Sequence, residues 1–70
     1  MLVRSVETFL RRHEMTATKF GRLAAHDPRF VLDLRMGREP RPRMEQRIRG
    51  FMAGFEAANE VAGRENAHVG

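Results

Sequence analysis

The chain has no cysteine, tryptophan or tyrosine, and its only serine is Ser5. Without thiols there is neither a disulfide framework nor a thiolate metal site, so packing, a partner or a second copy must stabilise the 70 residues. Side-chain nucleophiles are scarce and no glycine-rich phosphate loop occurs, so nothing points to an enzyme, a cofactor or a small-molecule substrate. His13, His26 and His68 stand in three unrelated contexts with no second ligand at fixed spacing. No metal site is therefore expected, and His26 is expected in a turn, partly covered. Long apolar runs are missing too: none approaches the roughly 18 residues that cross a bilayer. Arg4, Glu7, Arg11 and Arg12 interrupt the first apolar stretch, which excludes a signal peptide and makes the cytoplasm the expected compartment. A chain this short forms one small domain that buries only about 60% of its unfolded surface.

What the chain has in excess is positive charge. The net charge is +4 and the isoelectric point about 11.3, yet these totals hide an asymmetry. Through Gly54, twelve basic residues stand against six acidic ones, whereas from Phe55 onward Glu56, Glu60 and Glu65 face only Arg64. Half of that basic set falls between Arg35 and Arg49. Such a patch is an electrostatic footprint for a polyanion. Arginine outnumbers lysine twelve to one; its planar fork suits phosphates and guanine edges, although genomic base composition produces the same ratio.

The hydropathy pattern is helical throughout and predicts an all-α fold of four helices. The first spans about Val3 to His13, with Val6, Phe9, Leu10 and His13 on its apolar side. Thr16 or Thr18 caps a second helix whose inward residues are Phe20, Leu23 and Ala24. Asp27-Pro28 marks the start of a third, since Asp is a favoured N-cap and Pro suits the first helical position. That helix is expected to run to Arg35 or Met36 and to end at Gly37, with Phe30, Val31 and Leu34 turned inward. Arg38 to Arg43 is a connector stiffened by Pro40 and Pro42. From Pro42 the longest helix carries an apolar stripe of Met44, Ile48, Phe51, Met52 and Phe55. Beyond about Asn59 the periodicity fades, giving a domain over 1–58 and a frayed or disordered tail over 59–70.

Thr16 to Gly37 thus reads as two short helices joined by a tight turn, the arrangement that presents a helix to a DNA major groove. The stretch from Met15 to Phe51 resembles the helix-turn-helix of the lambda-repressor-like (Cro/C1) family of transcriptional regulators. Phe20 and Gly21 match its apolar-then-small pair, Ala25 its small turn residue, Val31 and Leu34 its recognition-helix core positions, and Gly37 the terminating glycine. Ala25 stands where the family most often has glycine, so either its backbone is unfavourable or the turn shifts slightly. The family often adds a fifth helix at its dimer interface, where this chain has a short acidic tail.

The resemblance implies a small regulator, of the kind found on phages and mobile elements, that places the 28–36 helix in the major groove of double-stranded DNA. Pro28, Arg29, Leu32 and Asp33 would then face base edges. Arg29 suits guanine O6 and N7, while Asp33 either accepts from cytosine N4 or pairs with Arg29 one turn back. Thr16, Thr18, Lys19, Arg38, Arg41, Arg43 and Arg47 are the phosphate-contacting candidates. Each has a plainer reading as a cap or a solvated charge. A homodimer is open, and so is a different function altogether: Leu32 and Met36 are apolar on the same outer face, as in a protein-binding module such as an antiactivator or antitoxin. The few aromatics are five phenylalanines on core stripes, which leaves no stacking platform for single-stranded RNA.

Overall fold

A computed structural model describes residues 1–59 in full and the backbone of 60–69, so all but Asn59 of the tail expected over 59–70 lies outside the fully described residues. The regular elements are four α-helices: α1 (Leu2–Arg12), α2 (Ala17–Ala25), α3 (Phe30–Arg35) and α4 (Pro42–Val69). The all-helical expectation holds, with boundaries within a residue or two for α1, α2 and the start of α4.

Helix α1 buries Leu2, Val6, Phe9 and Leu10. It ends where Glu14 takes a left-handed backbone conformation (φ 49°) and Met15 N–H donates to the Leu10 carbonyl. This bond and that from Glu14 N–H to Arg11 satisfy carbonyls left open by the last turn. Thr16, not Thr18, caps α2: its hydroxyl oxygen accepts from the Lys19 N–H at 3.1 Å.

The inward face of α2 differs from the expected one. Phe20, Gly21 and Ala24 are buried, but Leu23 is 50% exposed. The cause is Gly21. The backbone of Asp27 and Pro28 lies against it so closely that a Cβ there would overlap the Asp27 carbonyl oxygen. With the returning chain on the Gly21 side, Leu23 is turned outward. The same corner is tied by the Asp27 N–H, which donates to the Gly21 carbonyl at 3.0 Å. The left-handed residue of this turn is His26 (φ 54°, ψ 30°), so the turn is shifted one residue past Ala25, and His26 is exposed rather than partly covered.

The core is a single cluster drawn from all four helices. Phe9 packs edge-on against Phe20 and Phe55, and Phe51 stands edge-on to Phe20. Val31, Ile48 and Met52 complete it. Edge-to-face arrangements suit the ring quadrupole and add to the area buried. At the far end of α1, Arg12 and His13 both bond the Glu56 carboxylate of α4, at 2.7 and 3.2 Å. The His13 ring meanwhile packs on Phe9 and Phe55, as its place on the apolar stripe of α1 predicts.

The glycines of α2 and α4 are expected to respond oppositely to an added methyl. Gly21→Ala overpacks the turn and should lower stability by about 2 kcal/mol, roughly 8–16 °C in thermal midpoint for a domain of this size. Gly50→Ala and Gly54→Ala face open space on α4 and should each raise stability by about 1 kcal/mol through helix propensity alone. Thermal melts followed by circular dichroism decide both; a neutral Gly21→Ala removes the close-approach argument.

Candidate nucleic-acid interface

Helix α3 is shorter than the 28–36 helix expected from sequence. Pro28 and Arg29 form a turn before it, in which Asp27 acts twice: its carbonyl accepts from the Phe30 N–H at 3.1 Å, and its carboxylate from the Arg29 N–H at 3.0 Å. Asp27 is therefore not the N-cap that the Asp-Pro pair implies: it braces the turn, the N-cap is Arg29 with no side-chain capping bond, and α3 begins at Phe30, two residues later than expected. At the other end Gly37 has φ +94°. The Gly37 N–H donates to Leu34 and the Arg38 N–H to Asp33, the paired bonds of a left-handed helix ending.

One side of this short helix anchors it and the other is open. Phe30, Val31 and Leu34 are buried, whereas Arg29 and Leu32 are exposed and Met36 is 84% exposed. Asp33 lies half-buried between them. The connector folds back along α3, and a shallow groove between the two is lined by Phe30, Asp33 and Leu34 on one bank and Arg38, Glu39, Pro40 and Arg41 on the other. Of the expected site residues this groove brings together Asp33, Arg38 and Arg41; Pro28, Arg29 and Leu32 do not line it.

The electrostatics of this face are specific. Asp33 does not pair with Arg29; its carboxylate instead accepts from the Arg38 guanidinium at 3.5 Å. Arg29 sits at the N-cap (φ −98°, ψ 3°) outside the helical conformation that an i,i+4 pair requires, while the left-handed ending carries Arg38 back over Asp33. Among the described residues no side chain pairs with Arg29, Arg41 or Arg43, and all three are exposed. Thr18 and Lys19 are exposed at the front of α2, where the hydroxyl of Thr16 is committed to capping. Arg47 has a structural partner: its Nε donates to the Ala24 carbonyl at 3.2 Å, closing the C-terminal end of α2 against α4.

Two ion pairs that periodicity does not reveal hold the frame behind this face. Arg35 forms a two-pronged bond to the Glu7 carboxylate, both distances 2.8 Å, and so ties α3 to α1. The hydrogen bond from Arg35 holds the Glu7 carboxyl below its ordinary value near 4.5. The bonds from Arg12 and then His13 do the same for Glu56. Both partnerships join residues far apart in the chain, and Glu7 or Arg35 alone reads as a solvated charge.

Among the described residues there is no group of three His, Asp or Glu side chains placed to hold a metal ion, and no helix long and apolar enough to cross a membrane. No family model, curated protein or solved structure matches the chain.

Glu7 and Glu56 make the fold acid-sensitive in a defined direction. A carboxylate whose folded value is depressed stabilises the native state above the ordinary range and loses that contribution as pH falls through the folded value. The thermal midpoint should therefore drop as pH is lowered from about 5 toward about 3. The Glu7→Gln, Glu56→Gln double variant should show a shallower drop over the same interval. An equally steep one would place the acid sensitivity elsewhere.

Proposed function

We propose that this chain is a small sequence-specific DNA-binding regulator of transcription. In this reading α2, the turn at His26 and α3 act as a helix-turn-helix, and α3 with its flanking turns enters the major groove. One observation carries it: α3 is anchored by a buried inner face while its outer face, Arg29 to Met36, stays open beside a connector of exposed arginines. The resemblance to lambda-repressor-like regulators over Met15 to Phe51 supports the same assignment.

The division of labour follows from the chemistry. Arg29 reads a guanine edge, worth roughly 1–3 kcal/mol of discrimination. Arg41 and Arg43, with Lys19 and Thr18, meet phosphates, which set register without carrying sequence information. Arg38 joins them only by leaving Asp33, so it contributes less. Arg47 spends its Nε on the Ala24 carbonyl, holding α2 and α4 together, and meets a phosphate only through its remaining guanidinium N–H groups. Regulation is by occupancy, and two copies on a palindrome would read half-sites about one helical turn apart. A second reading, a protein-docking module, is favoured by the exposure of Leu23, Leu32 and Met36.

Salt separates the two readings. With some eight phosphates neutralised per dimer, binding to duplex DNA should fall with a log–log slope near −7, whereas an apolar docking face is nearly indifferent to salt. Selection from random duplexes should enrich a palindrome, and Arg29→Ala should change the preferred base at one position per half-site. The Arg41→Ala, Arg43→Ala variant should weaken all sequences alike and flatten the slope by about one for each phosphate it no longer neutralises. Retention without enrichment and without salt dependence would favour the docking module.

A further inference from the structure

We infer that Leu32 and Met36 read thymine C5-methyl groups in the major groove, so that the preferred site pairs a guanine, seen by Arg29, with neighbouring thymines. This rests on the DNA-binding reading and adds to it the chemistry of the bases that are read.

The hydrogen-bonding inventory of α3 leads there. From Pro28 to Met36 there is no asparagine, glutamine, serine or threonine. The two-pronged amide bond that reads adenine is therefore not available, nor is a hydroxyl. Arg35 is committed to Glu7 and Asp33 to Arg38. What remains on the outer face is one cationic fork and two apolar tips, Leu32 at 48% and Met36 at 84% exposure. The thymine methyl is the apolar feature of the major groove, and it is the group that such tips recognise.

Spacing and charge fit the same occupant. Leu32 and Met36 are one helical turn apart, about 6 Å along the axis, close to two base-pair steps of roughly 3.4 Å for a helix lying along the groove. Arg29 precedes the pair as the one unpaired cation of this face, while Arg38, which follows it, is drawn to Asp33. A protein partner fits less well. Stable protein interfaces engage about 20–30 residues a side, and here only Leu23, Leu32 and Met36 are exposed apolar side chains on α2, α3 and its end.

Deoxyuridine tests this directly, because it differs from thymidine only in lacking the methyl. The full chain is used to select a duplex from a random library at low salt, and the winner is resynthesised with each thymidine replaced in turn by deoxyuridine. The expected result is a loss of about fourfold in affinity at one or two positions, the worth of a single buried methyl. That loss should vanish in Leu32→Ala or Met36→Ala, whose exposed positions leave the thermal midpoint unchanged. An enriched site that depends on Arg29 but is indifferent to every deoxyuridine overturns the inference and leaves the DNA reading standing. A deoxyuridine penalty that persists in the Leu32→Ala, Met36→Ala double variant overturns it too. No enrichment at all overturns both.

Discussion

The close approach of the Asp27–Pro28 backbone to Gly21 is the constraint on which the rest of the molecule depends. A side chain at position 21 would hold the returning chain away from α2, and α3 would leave the core at a different angle. Several features follow from that one approach. Leu23 is displaced outward, His26 takes the left-handed position, and Asp27 is delivered to a place where its carbonyl and carboxylate can both bond the start of α3. Because α3 has only six residues, it has little propensity of its own to stay folded. It is held by its ends and by the side it buries, so the geometry of the turn becomes the geometry of the exposed face.

Charge is sorted by the same framework. Arg12, Arg35, Arg47 and Arg49 have partners on the body of the fold, where they join or brace helices. These pairs are partly solvated and contribute modestly to stability, but they decide which arginines remain available. Arg29, Arg41 and Arg43, near α3 and along the connector, are left without partners among the described residues, as are Arg4, Arg11 and Arg22 on α1 and α2. Of the carboxylates near α3 and the connector, Asp27 bonds the Arg29 N–H and Asp33 draws in Arg38, while Glu39 stays exposed on the connector.

Much of this is legible in the sequence because helices announce their buried faces. Val6, Phe9, Leu10, Phe20, Val31, Leu34, Ile48 and Met52 recur at helical spacing and form the core. Thr16 and Gly37 mark ends through their own backbone chemistry. What the pattern does not show are features set by residues distant in the chain. Leu23 has the spacing of a core residue and is displaced by the turn packed on Gly21. Arg47 reads as a surface cation until the end of α2 arrives beside it. The third helix reads one turn too long because Asp-Pro signals a start without saying whether a turn intervenes. Exposed residues carry no periodic signal of their task, so the candidate interface is legible as a surplus of arginine and only the fold gives it a face.

The proposed reading also constrains how many copies act together. One outer face offers roughly 1–3 kcal/mol from an arginine–guanine pair and about 0.8 kcal/mol for each methyl it covers. A single copy therefore separates its site from arbitrary DNA by about 3–5 kcal/mol, at or below the lower end of the roughly 4–10 kcal/mol by which specific binding typically exceeds non-specific binding. Lengthening α3 is not an available remedy, since the turn at Pro28 and Arg29 precedes it and Gly37 ends it. Stronger phosphate binding is no remedy either, because it raises affinity for every sequence equally. Doubling the face is what remains: two copies on a palindrome bring the discrimination into the specific range while each half-site stays as small as α3 dictates. On the proposed reading, a six-residue helix held by a glycine turn would read DNA usefully only as half of a pair.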